Sequence, residues 1–154
     1  MDTPKILLPY NFTSYDKKAL DFVCRTFSDK KEAEITLFNA YIPAPVIEMR
    51  GSPIMKQMKD TLSYLSQRIK EQEDALHTVR AHLLGKGFSE DNIDIVFEPK
   101  NKDVAGDIID LAQVGRFNVV VLNRKPGKIA RFFAGSVSSK VVAALKNTTV
   151  CIVS

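Results

Sequence analysis

Tryptophan is missing from these 154 residues, and histidine and cysteine occur only twice each. Metal centres and disulfide frames need clustered ligands, and here they are scarce. Cys24 and Cys151 lie in the apolar runs Phe22-Val23-Cys24 and Val150-Cys151-Ile152-Val153, the setting of small buried hydrophobes. His77 and His82 stand five positions apart, off the spacing that puts two ligands on one helix face, so both are expected at the surface.

No apolar run reaches the roughly 18 to 20 residues of a membrane helix, so no membrane partner is expected. The opening Met1-Asp2-Thr3-Pro4-Lys5 passes into a strand-like segment without a signal-peptide pattern, and a cytoplasmic location is expected. Nucleic acid is not an expected partner either. No aromatics interleave with a basic run and no zinc-finger spacing occurs. The net charge of +4 is a mild bias toward anionic partners in general.

What is present reads as one globular domain over 1–154. The chain is 45% hydrophobic and 26% charged, inside the globular range, and long enough for one core. Lys5-Ile6-Leu7-Leu8-Pro9 is a first buried strand. Thr13 or Ser14 is placed to cap a helix carrying Ala19, Leu20, Val23 and Phe27, which closes near Ser28-Asp29. Residues 34–41 form a second strand, ended by Pro43 and Pro45. The stretch from Ile47 to Pro53 reads as loop.

A long helix follows, with Met58, Leu62, Leu65, Ile69, Leu76, Val79 and Leu83 along one face and Gly85-Lys86-Gly87 as its stop. Residues 92–97 are the third strand. A helix with Val104, Ile108, Leu111 and Ala112 runs to Gly115, and 118–122 is the fourth strand. A polar loop, a helix with Val137, Val141, Val142, Ala144 and Leu145, and a last strand at 148–153 complete the chain. Strands alternating with helices imply an α/β fold with a doubly wound parallel sheet and helices on both faces. No internal repeat occurs.

In such sheets ligands settle beyond the carboxyl ends of the strands, where strand order reverses. The loops after the first and fourth strands therefore matter most. The first offers Pro9, Tyr10 and Asn11. The second follows Leu122 with Asn123, Arg124 and Gly127, and leads to Gly135-Ser136 at a helix start. There the N–H groups of Ser136, Val137 and Ser138 and the helix dipole suit a phosphate, although Gly-Ser is also an ordinary helix opening. Asp103, Asp107 and Asp110 lie near another helix start, where carboxylates favour the dipole. No Ser-His-Asp or Cys-His grouping points to a nucleophilic enzyme.

Three segments carry a family likeness. Ile6-Leu7-Leu8-Pro9-Tyr10-Asn11-Phe12-Thr13, Phe132-Phe133-Ala134-Gly135-Ser136-Val137-Ser138-Ser139-Lys140-Val141 and Thr149-Val150-Cys151-Ile152-Val153 resemble the universal stress protein family. The resemblance implies a five-stranded sheet of order 3-2-1-4-5, a homodimer formed through Val150, Cys151, Ile152 and Val153, and, for one branch, ATP with Mg as ligand. It also implies that Ala40 lines the adenine site.

The nucleotide motif of that branch runs Gly, two residues, Gly, nine residues, Gly and then Ser or Thr. Here the final Gly135-Ser136 stands, but Leu122 and Lys125 occupy the earlier glycines, or Asn123 and Pro126 if the loop is one residue shorter. Asn11 replaces a nucleoside-contacting Asp, keeping an acceptor without the charge. Tyr10 stands where the family has a small residue, placed to stack on a base or to fill its pocket. Arg124, Lys125, Lys128 and Arg131 add cations to the loop, suited to attract an anion by charge. Two readings follow: a stress-response regulatory protein binding an adenine nucleotide, or a dimeric interaction protein of the same fold that binds none. Slow ATP hydrolysis is a third and lesser one.

Overall fold

The computed structural model describes residues 3–45, 53–124 and 136–154. In chain order the elements are β1 Lys5–Pro9, α1 Asp16–Thr26, β2 Glu34–Tyr41, α2 Pro53–Gly85, a single 3₁₀ turn Glu90–Asn92, β3 Ile93–Pro99, α3 Val104–Val114, β4 Val119–Asn123, α4 Val137–Ala144 and β5 Thr149–Val153. The strands form one parallel sheet of order β3-β2-β1-β4-β5. The strand order expected from the sequence therefore holds.

Alternation along the strands divides the core into two layers. Ile6, Leu8, Ile35, Leu37 and Val121 face one side and pack with Ala19, Leu20 and Val23 of α1 and Leu76, Val79 and Leu83 of α2. Leu7, Phe38, Val120 and Leu122 face the other, against Ala105, Ile108 and Ala112 of α3 and Val141 of α4. Strands covered on both faces must be apolar at successive positions, which is why β1 and β4 read as continuous runs rather than alternating ones.

α2 has 33 residues, about 50 Å of helix, far more than a five-residue strand can cover. Its fully buried positions Leu76, Val79 and Leu83 all fall in its last third. Upstream, Met58, Leu62, Leu65 and Ile69 are only half-buried; Leu65 and Ile69 line one open cavity, and Met58 and Leu62 a smaller one beside it with Pro45 and Ile54.

The start of α1 differs from expectation. Neither Thr13 nor Ser14 caps it; the capping position is Tyr15, which makes no side-chain cap bond. The side chain of Asp16 instead satisfies the N–H groups of the preceding loop, so the helix opens later than a hydroxyl cap would have it. The helix also ends sooner, at Thr26, where the Phe27 N–H donates to the Val23 carbonyl at 3.0 Å. Of the expected loop between Ile47 and Pro53, Pro53 opens α2 and the rest lies outside the described residues.

Candidate functional site

At the carboxyl end of β1 the chain must turn into α1, and one buried carboxyl group organises that turn. Asp16 is 1% exposed. Its oxygens accept from the Asn11 N–H at 3.1 and 3.2 Å, from the Thr13 N–H at 2.7 Å and from the Asn123 side-chain amide at 2.6 Å. Two N–H groups drawn onto one group from either side force Phe12 between them into the left-handed region, at φ 62°. That conformation is costly for a bulky residue and persists because the carboxylate over-determines it. The Asn123 bond fastens the β1 loop to the end of β4.

The same device recurs at α3. Asp107, also buried, accepts from the Asn101 and Lys102 N–H groups, both at 3.0 Å. Asp103 caps α3 by accepting from the Gly106 N–H at 2.6 Å and pairs with Lys140 of α4 at 3.2 Å. Those two bonds, the cap first, hold its carboxyl below the ordinary carboxylate value. Asp110 pairs with Lys102 at 2.8 Å. The three acids expected to serve the helix dipole thus also brace the loop after β3 and tie α3 to α4.

Beyond the strand ends lies an open cavity of about 730 Å³. Asn11 and Phe12 border it from the β1 loop, Asn39, Ala40 and Tyr41 from the end of β2, and Val104 and Val137 from the first turns of α3 and α4. Tyr64, Leu65, Ile69 and Gln72 of α2 form its far wall. Asn39 steadies the floor by donating from its amide to the Tyr10 carbonyl at 2.8 Å, while the Tyr10 N–H donates to the Phe38 carbonyl at 2.8 Å.

Several residues singled out in the sequence meet here and others do not. Asn11, Ala40 and Val137 line the cavity. Ser136 is the N-cap of α4, its hydroxyl accepting from the Ser139 N–H at 3.1 Å and standing 3.2 Å from the hydroxyl of buried Ser138. Asn123 is engaged with Asp16, and the Arg124 N–H extends the ladder to the Val153 carbonyl at 2.9 Å.

Pro9 is buried in the sheet and Leu122 in the core beneath α3 and α4. Tyr10 packs on the α1 and α2 core, edge-on to Phe12 with ring centroids 5.5 Å apart, rather than bordering the cavity. Burial, then the nearby Asp16, pushes its phenol above the ordinary value. Gly127 and Gly135, with Lys125, Pro126, Lys128 and Arg131, lie outside the described residues.

Asp16, Arg68 and Lys100 were not singled out as site residues in the sequence. Asp16 had a faint signal, an acid just after a strand-ending turn, as Asp103 and Asp107 are. Arg68 stands on the polar side of a long helix, where a solvated cation is ordinary.

Elsewhere, Cys24 and Cys151 are free, half-buried thiols raised chiefly by burial, while His77 and His82 are exposed. Among the described residues no group of three His, Cys, Asp or Glu side chains gathers as a metal site. No helix there is long and apolar enough to cross a membrane.

No curated protein sequence matches the chain significantly. Solved structures do. A universal stress protein from Lactobacillus plantarum is similar at 16% identity and a TM-score of 0.65, covering 100% of this chain and 99% of the other. One from Archaeoglobus fulgidus in complex with dAMP gives 15% and 0.63, covering 99% and 98%. A member from Arabidopsis thaliana with AMP bound gives 15% and 0.56, covering 97% and 90%. At such identities these likenesses carry the fold. The model of the universal stress protein family matches residues 3–152, nearly the whole length, and the chain belongs to that family.

Proposed function

We propose that this protein binds an adenine nucleotide in the cavity beyond β1 and β2, and that it serves as a stress-response regulatory protein by doing so. The observation that carries the reading is the cavity itself. It lies beyond the ends of β1 and β2, beside the reversal of strand order at β1, and has apolar walls for a base. The first turn of α4 opens onto it through Val137.

No Asp or Glu lines it, so nothing on its described walls repels a phosphate. Relatives of the same fold hold dAMP and AMP, which supports the ligand class. ATP is the proposed ligand, with Asn11 and Ala40 at the nucleoside and Val137, Ser136 and Ser138 at the phosphates. Arg124, Gly127 and Gly135 belong to the same proposed phosphate loop. Magnesium would arrive on the phosphate oxygens rather than in a protein cage, since it keeps water and phosphate as ligands.

Binding, rather than turnover, is the proposed activity. The proposal includes a single domain, a cytoplasmic location and a homodimer through β5. Titration calorimetry with ATP and magnesium tests the central point. A saturable heat that Ala40→Phe abolishes is expected; silence at millimolar nucleotide overturns the reading in favour of an interaction protein without nucleotide.

A further inference from the structure

The peptide that joins Tyr10 to Asn11 is gripped from both sides. Its N–H donates to the Asp16 carboxyl oxygens at 3.1 and 3.2 Å, and its carbonyl accepts from the Asn39 side-chain amide at 2.8 Å. Asn39 thus stands one hydrogen bond away from the backbone that carries Asn11, and it is the chain neighbour of Ala40. Asn11 and Ala40 are the residues proposed at the nucleoside, and all three border the cavity.

The bond to Tyr10 also fixes which way the Asn39 amide faces. A carbonyl only accepts, so the nitrogen must point to it and Oδ1 is turned elsewhere. That oxygen is buried, and no donor among the described residues reaches it. Buried acceptors are nearly always satisfied, because an unpaired one forfeits its hydration without return. The second dihedral of asparagine is broad, so a slight turn of the amide presents Oδ1 to the cavity while the bond to Tyr10 is kept.

We propose that Asn39 is a specificity-determining residue of the nucleotide site, its Oδ1 accepting from the amino group at position 6 of adenine. The inference rests on the nucleotide reading above. The 6-amino group brings the donor that Oδ1 lacks, whereas a 6-oxopurine carries at the same place an oxygen whose lone pairs oppose it. Apolar walls such as Ala40 and Leu65 give any purine much the same contact. A buried polar group left unpaired rejects the wrong base more strongly than such walls can.

Calorimetry on the full chain tests this with ATP and with purine riboside 5′-triphosphate, which lacks only the 6-amino group, each with magnesium. The parent is expected to bind ATP more tightly by about five-fold or more. Asn39→Leu keeps the side-chain size and removes the acceptor, and should bring that ratio below about two-fold. A merely structural role for the bond to Tyr10 would weaken both ligands alike and leave the ratio where it was. If Asn39→Leu shows no cooperative thermal transition, Asn39→Ala, which adds no bulk, carries the same comparison.

A smaller ratio in the parent overturns the inference, and so does a ratio that stays above about two-fold in the variant. In both cases ATP binding by the parent leaves the nucleotide reading standing. If neither ligand binds the parent, both readings fall together.

Discussion

Asp16 and Asn123 are joined by a 2.6 Å hydrogen bond across 107 positions of sequence, and that bond ties the β1 loop, which borders the cavity, to the end of β4. Because the same carboxyl group also receives the Asn11 and Thr13 N–H groups, the β1 loop cannot relax without disturbing the end of β4. The shape of the site is thus set by a residue that does not border it.

Asp16→Ala should therefore cost about 2 to 4 kcal/mol, since it leaves buried donors without an acceptor. Urea denaturation reads the loss, and hydrogen exchange at the Asn11 and Thr13 amides should quicken. A loss under 0.5 kcal/mol, the scale of an ordinary surface substitution, would show that the loop holds its shape by other means.

A methyl group at Gly115 has no room. An added Cβ would clash with Phe117 Cε2 and lie 3.0 Å from the Leu111 carbonyl oxygen, and Phe117 is a buried ring beneath the Lys5 ammonium. Gly115→Ala should destabilise by about 1 to 3 kcal/mol through overpacking, lowering the thermal midpoint. The second substitution Phe117→Leu should recover part of that loss if the ring is the obstacle.

Asp103 has its carboxyl lowered by the Gly106 N–H and Lys140. A folded value below the unfolded one means that the group adds stability above about 3.8, the ordinary carboxylate value, and that this is lost as pH falls through the folded value. The denaturation midpoints of the parent and Asp103→Asn should differ at pH 7 and converge once acid has protonated the carboxyl in the folded chain as well. A difference that holds constant across the range would deny the cap and ion pair their role.

Among the described residues β5 pairs only with β4, at one edge of the sheet, with Ile152 42% exposed beside half-buried Val150 and Val153. An open apolar edge favours a partner strand. If the proposed homodimer forms there, Ile152→Lys should convert it to monomer, as light scattering at micromolar concentration will read. A parent chain that is monomeric under those conditions, or a variant that remains dimeric, removes β5 as the interface.

Much of this architecture could be read from residues close together in the chain. The runs Ile6-Leu7-Leu8 and Val119-Val120-Val121-Leu122, and the helical spacing of Leu76, Val79 and Leu83, register burial one turn or one pleat at a time. Strand and helix periods are local, so element order and the parallel sheet follow from them. Asn11 and Val137 were legible for the same reason, each standing at an element's end beside the expected switch point, while Ala40 came from the family resemblance.

What tertiary structure alone decided is how distant polar groups are spent. Tyr10 packs on the core, Asp16 reaches Asn123, and Leu65 and Ile69 of α2 wall a cavity rather than the sheet. Hydrogen bonds and charges pair by distance in space, and no period along the chain records which carboxylate a loop N–H will find. Local pattern determined that the sheet has a reading end; only folding determined which side chains stand there to do the reading.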